Sequence, residues 1–143
     1  MRLIGIDLGT KTMGIAITDS LQVLATGLKN FYYPNNDLNV CLNEIKKILN
    51  IYQNDIESII LGYPLNVDGT KNKQTLLVEN FFNLLKRNII LPIFFQDERY
   101  STIKATDILK YQGNLKSSQI KKNKDKMSAV VILDEYMANN QHD

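Results

Sequence analysis

Carboxylates are the residues of this chain best placed to do chemistry. Asp7 ends an apolar run that starts at Leu3, Asp97 and Glu98 close a second run, Leu91 to Gln96, and Asp125 opens a segment that continues to Met137. Competing chemistries are scarce. Cys41 is the single cysteine and His142 the single histidine, next to the last residue. No intrachain disulfide can form, a cysteine-rich zinc site is excluded, and no internal histidine can serve as a base. Acid–base or metal chemistry falls to Asp and Glu. Mg²⁺ and Mn²⁺ suit such a set, because they take oxygen ligands and keep several waters. Like charges crowded at one edge repel unless a cation joins them. Two such ions about 3.5–4 Å apart can activate a water and stabilise the leaving oxygen in phosphodiester hydrolysis.

Each acid also has a plainer reading. Asp7 suits a turn in which its side chain bonds the following backbone. Asp97 and Glu98 suit a solvated loop with Arg99 as a surface ion partner. Asp125 suits a helix cap, which the helix dipole would stabilise. Local sequence leaves these alternatives open.

The elements that must position the acids follow from apolar periodicity. Leu3 to Asp7 and Met13 to Asp19 are β-branched-rich runs around Gly9-Thr10-Lys11-Thr12, which predicts a hairpin. Val23 to Tyr33 supplies a third strand, interrupted at Gly27. Leu38, Cys41, Leu42, Ile45, Ile48, Leu49 and Tyr52 fall on one stripe of an amphipathic helix, with Cys41 a plain core residue. Ile56 to Leu61 is a buried strand followed by a loop from Gly62 to Thr70, in which Asp68-Gly69 signals a turn. A second helix runs from Asn72 to Asn88, with Leu77, Phe81, Leu84 and Leu85 on one face. Leu91 to Gln96 is another buried strand, with Pro92 suited to its start. Ser101 to Tyr111 reads as a third helix closed by Gly113. Asn114 to Lys124 is polar and lysine-rich, and Met127 to Met137 closes the chain, most simply as a helix headed by Asp125. Ser128 and Ala129 are small enough to let that helix approach a sheet closely. Three strands followed by α/β alternation predict one domain over residues 1–143, a mixed sheet with helices packed on its faces. Ligands of such a sheet gather beyond the carboxyl ends of its parallel strands, where Asp7 and Asp97-Glu98 would stand.

Length and composition agree with that size of domain. The chain has 143 residues, 44% hydrophobic and 22% charged, and a net charge of +2, ordinary for a globular domain and no obstacle to a polyanionic partner. The apolar run at the start is broken by Asp7 and is too short for a signal peptide or a membrane span. The expectation is a cytoplasmic protein without a membrane partner, monomeric or weakly dimeric.

Four segments resemble the motifs of a known family. Gly5-Ile6-Asp7-Leu8-Gly9-Thr10-Lys11-Thr12-Met13-Gly14-Ile15-Ala16 is similar to the first motif of the bacterial YqgF/RuvX nucleases. Gly62-Tyr63-Pro64-Leu65-Asn66-Val67-Asp68-Gly69-Thr70 is similar to their second, Asp97-Glu98-Arg99-Tyr100-Ser101-Thr102 to their third, and Asp125-Lys126-Met127-Ser128-Ala129-Val130 to their fourth. The resemblance implies an α/β, ribonuclease-H-like fold with a mixed five-stranded sheet and helices on both faces. It implies a metal-dependent nuclease, using Mg²⁺ or Mn²⁺ and two ions, that matures the 5′ end of the small-subunit ribosomal RNA precursor. An alternative within the family is resolution of Holliday junctions, four-way DNA. Asp7, Glu98 and Asp125 match the family's acidic trio, which makes them the expected catalytic and metal-binding residues. Tyr100 stands where the family commonly has leucine, Thr12 where arginine is frequent, and Lys71-Asn72-Lys73 lacks the small and arginine residues often found there.

On the substrate side, Thr10 and Lys11 at the hairpin tip are candidates for a phosphate contact, as are Asn66, Arg99 and Lys122; solvated turns and a purely structural loop are the plainer alternatives. Lys116, Lys121, Lys122, Lys124 and Lys126 flank Asp125 and would give salt-sensitive, sequence-independent affinity for nucleic acid. No aromatic-rich stacking surface is evident from the sequence. Two readings of other classes compete. A non-catalytic nucleic-acid-binding module would not need all three acids. A sugar kinase or chaperone-type ATPase shares the look of Gly5-Ile6-Asp7-Leu8-Gly9-Thr10 but needs two lobes, for which the chain has no room.

Overall fold

The computed structural model describes residues 1–34, 36–98 and 117–140, with residues 117–125 described as backbone only. Among these, five strands and three helices follow one another as β1 (Arg2–Leu8), β2 (Thr12–Thr18), β3 (Ala25–Tyr32), α1 (Leu38–Ile51), β4 (Ile56–Tyr63), α2 (Lys73–Asn88), β5 (Ile93–Asp97) and α3 (Ser117–Asn140). The expected helix Ser101–Tyr111 and its closing Gly113 lie outside the described residues. The strands form one sheet in the order β3-β2-β1-β4-β5. β1 pairs antiparallel with β2 and β2 with β3, whereas β1, β4 and β5 are mutually parallel. The expected mixed sheet with helices on both faces is therefore present, and β1, β4 and β5 end at one edge.

Strand alternation sorts the side chains onto two faces. Ile4, Ile6 and Leu8 of β1 join Met13, Ile15, Ile17, Ile59 and Leu61 in a core shared with Cys41, Ile45 and Ile48 of α1 and Val78, Phe81 and Leu85 of α2. Leu3, Ala16 and Ile60 face the other way, against Ala129, Val130, Ile132, Leu133 and Met137 of α3. Gly5 and Asp7 share that second face by alternation. A Cβ on Gly5 would stand 2.5 Å from Leu133 Cγ and 3.0 Å from the Ala129 carbonyl oxygen. The small residues Ser128 and Ala129 are fully buried there, as close helix approach demands.

The helices are capped as their sequences suggest. Asp37 accepts from the Asn39 N–H at the head of α1. Asn72 and Thr75 exchange side-chain and backbone bonds in a capping box at the head of α2. Three expectations are corrected. β3 is not broken at Gly27; the pairing passes from Lys29 to Gly27, leaving Leu28 as the extra residue of a bulge. The strand before Asp97 is an edge strand rather than a buried one, with Phe94 and Phe95 exposed. The last helix begins at Ser117, so Asp125 lies inside it and does not cap it. No glycine or proline interrupts residues 117–126, and their lysines and glutamine are good helix formers.

Candidate functional site

Asp7 is the last but one residue of β1, one position beyond Ile6, which pairs with Leu61 of β4. Gly62 follows Leu61 and occupies the corresponding place on β4. Beyond it, β5 ends at Asp97, paired with Tyr63, and the Glu98 N–H donates to the Tyr63 carbonyl at 3.2 Å. Glu98 then turns over β4. A Cβ on Gly62 would meet Glu98 Oε2 at 2.7 Å and Ile132 Cδ1 at 2.5 Å. The bare backbone at Gly62 is what leaves room for the Glu98 carboxyl to reach its neighbour on β1.

That neighbour is Asp7. Burial, the charge of Asp7 and a hydrogen bond between the two carboxyl groups, with a further push from Asp97, hold Glu98 well above the usual carboxylate range. Two like-charged acids in one partly dry place keep a proton between them. Alternation explains why Glu98 and not Asp97 does this. Asp97 ends the ladder on the face of Ile93 and Phe95 and is exposed, while Glu98 falls on the face of Asp7.

The third expected acid approaches through its helix. Asp7 pairs across β2 with Gly14, and Gly14 pairs with Asn30 of β3. Asn30 Oδ1 accepts the Lys126 N–H at 2.8 Å, and the side chain of Lys126 lies over Gly27, 3.0 Å from where its Cβ would be. The backbone of α3 thus crosses the row that contains Asp7 one residue after Asp125. The side chains of Asp125 and Lys122 lie outside the described residues, as does Arg99. Among the described residues no group of three or more Asp, Glu, His or Cys side chains is arranged to hold a metal ion. Asp7 and Glu98 are a pair of hard oxygen donors whose mutual repulsion a divalent cation would relieve, so the donor chemistry fits Mg²⁺ or Mn²⁺.

Thr10 and Lys11 are exposed at the β1–β2 turn, at the same edge as the acid pair. Thr10 opens onto a shallow depression of about 350 Å³ lined also by Lys73, Gln74 and Asn80. The turn is held by two side chains that the sequence does not announce. Gln74 donates to the Leu8 carbonyl and the Tyr33 hydroxyl to the Gly9 carbonyl. Both contacts join residues far apart in the chain, and no local pattern marks either one. Asn66 is occupied within its own loop, donating to Thr70 Oγ1 and accepting from Asn72 Nδ2. Gly69, at φ 89°, turns that loop, and its N–H donates to the Asn66 carbonyl. The plainer reading, a structural residue, fits Asn66. The fold also gathers rings that looked scattered in sequence. Phe82 stacks on Phe95 with centroids 4.4 Å apart, and Tyr63 tilts against Phe95 at 4.6 Å. Cys41 is buried in the core as expected.

Known proteins share the sequence and fold of this chain. The profile of the RuvX family, described as a Holliday junction resolvase, matches residues 1–139. A protein of Ureaplasma parvum serovar 3 named "Putative pre-16S rRNA nuclease" is 48% identical over 98% of this chain and 98% of its own length. One of the same name from Mycoplasmopsis pulmonis is 40% identical over 97% and 94%. Among solved structures, the fowlpox virus Holliday junction resolvase superposes with a TM-score of 0.61 over 97% of this chain and 99% of that one, at 14% identity. RuvC of T. thermophilus, in complex with a Holliday junction substrate, does so with a TM-score of 0.51 over 98% and 96%, at 13% identity. These likenesses identify the fold as ribonuclease-H-like, and with the profile and the two relatives matched along nearly their whole length, the chain belongs to the RuvX family.

Proposed function

We propose that this protein is a metal-dependent endonuclease that hydrolyses phosphodiester bonds in structured RNA and matures the 5′ end of the small-subunit ribosomal RNA precursor in the cytoplasm. The observation that carries the proposal is the carboxyl pair of Asp7 and Glu98 at the edge where β1, β4 and β5 end. Asp125 completes the metal-binding set from α3, and Thr10, Lys11, Arg99 and Lys122 contact phosphates around it. Asn66 shapes the neighbouring loop rather than gripping substrate. A bound divalent cation supplies Lewis acidity toward the scissile phosphate and a more acidic water. The chain's own part is to hold carboxylate oxygens at a fixed edge. Gly62 admits Glu98 to that edge, while Gln74 and Tyr33 fix the turn after Asp7. Relatives named for a ribosomal RNA precursor support the RNA substrate. Among the described residues, no helix is long and apolar enough to cross a membrane.

A second reading, resolution of four-way DNA junctions, is favoured by the description of the family and the fold shared with junction resolvases. One experiment separates the two. The purified chain is incubated with Mg²⁺ or Mn²⁺ and either a ribosomal RNA precursor or a four-way junction. Cleavage of the precursor at its 5′ side, abolished by Asp7→Asn with the fold retained, is the expected result. Junction cleavage alone selects the second reading, and undiminished activity in Asp7→Asn sinks the mechanism.

A further inference from the structure

Among the described residues, one buried side-chain polar atom has no hydrogen-bond partner, the hydroxyl of Ser128. Ser128 is fully buried in α3. Thr18 and Thr75 are buried too, and both are paired, Thr18 with the Leu3 N–H and Thr75 within the α2 cap. A serine in a helix can turn its hydroxyl onto the carbonyl one turn earlier, but Ser128 makes no such bond. A buried hydroxyl without a partner is costly, and a water or an ion is one of the things that can satisfy it.

The place of Ser128 says which. Towards the C-terminal end of α3, Ala129 and Leu133 lie over Gly5 and Ile132 lies over Gly62. Towards the other end, the Lys126 N–H is fixed to Asn30, in the cross-strand row of Gly14 and Asp7. Ser128 stands between these anchors, one residue before Ala129 and one turn before Ile132. It is therefore level with the stretch of β1 from Gly5 to Asp7, on the face that also receives Glu98.

We propose that Ser128 is a positioning residue of the cation site, whose hydroxyl accepts a hydrogen bond from a water in the shell of a divalent ion held by Asp7 and Glu98. This inference rests on the carboxylate reading proposed above. Alanine removes only the hydroxyl oxygen and leaves no buried polar atom unpaired.

The test uses the full chain and Mn²⁺ alone, with affinity read by electron paramagnetic resonance and melting temperature measured with and without the ion. Ser128→Ala is expected to melt at or above the wild-type temperature without Mn²⁺. It should nonetheless bind Mn²⁺ about 10–100-fold more weakly and gain less thermal stability from it. A merely structural serine would not separate these readouts. Ser58→Ala, a buried hydroxyl near the start of β4, should leave Mn²⁺ affinity unchanged. Wild-type affinity in Ser128→Ala, with binding lost in Asp7→Asn, overturns this inference alone. Binding that survives Asp7→Asn, or no binding by the wild type, overturns the carboxylate reading and this inference with it.

Discussion

The two faces of the sheet are built from different residues. Toward α1 and α2 it presents Ile4, Ile6, Leu8, Met13, Ile15, Ile17, Ile59 and Leu61, interlocked with large side chains such as Phe81. Toward α3 it presents Leu3 and Ile60 among Gly5, Gly14, Ala16, Gly27 and Gly62, and the helix answers with Ser128 and Ala129. Removing bulk from the first face leaves a cavity, whereas adding bulk to the second pushes the helix away. The face that anchors the fold and the face that carries the carboxyl pair thus fail in opposite ways. A site needing a helix close over carboxylates is built where side chains are missing.

The largest test of that contrast is Phe81→Ala, which should cost about 3–5 kcal/mol of stability through transfer and cavity terms, read by urea unfolding. Under conditions where the variant remains folded, Mn²⁺ affinity should be unchanged. A weaker affinity would mean the faces are not independent. Gly5→Ala and Gly62→Ala come next, each costing about 1–3 kcal/mol by overpacking. Only Gly62→Ala, whose Cβ collides with the Glu98 carboxyl, should also abolish Mn²⁺ binding. Equal affinities in the two variants would remove Gly62 from the site.

The pH response belongs to the α3 face as well. Glu98 keeps its proton in the folded chain at pH values where the unfolded chain, near 4.5, has released it. The native state therefore binds more protons, so this contribution is fully present below pH 4.5 and is lost as pH rises through the higher folded value. Without divalent ions the protein should accordingly melt at a higher temperature at pH 5 than at pH 8, as far as Glu98 decides it. Glu98→Gln should flatten that slope, and Mg²⁺ should stabilise more at pH 8 than at pH 5. A slope unchanged in Glu98→Gln would assign it elsewhere. The smallest effect expected is that of Lys71→Ala. Its ion pair with Glu79 is 2.9 Å long but solvent-exposed, where screening leaves little net attraction, so its loss should leave the melting temperature and Mn²⁺ affinity nearly unchanged.

Much of this is legible in the sequence. Leu3 to Asp7, Ile56 to Leu61 and the helical stripe from Leu38 are periodic, and periodicity survives folding because the same solvent exclusion selects it. The matched motifs singled out Glu98 beside Asp7, and alternation on β5 gives the reason. What escaped was set by partners remote in sequence. Whether Phe94 and Phe95 are covered depends on β5 standing last in the sheet among the described residues, which a hydrophobic run does not encode. The sequence leaves the start of α3 open, because a lysine-rich stretch suits solvated loop and helix alike. Gln74 reaches Leu8 across 66 residues, and the isolation of Ser128 appears only when its surroundings are assembled.

Cys41 carries one last consequence. Its thiol is buried in α1 and pushed up to about 12 by burial, so at neutral pH it offers almost no thiolate, the form that reacts with alkylating and oxidising reagents. The chain has no other sulfhydryl. Modification of this thiol must therefore follow an opening that lifts α1 from the sheet, and its labelling rate counts those openings. A single thiol makes the protein its own clock for one face, running whether or not the opposite face holds an ion.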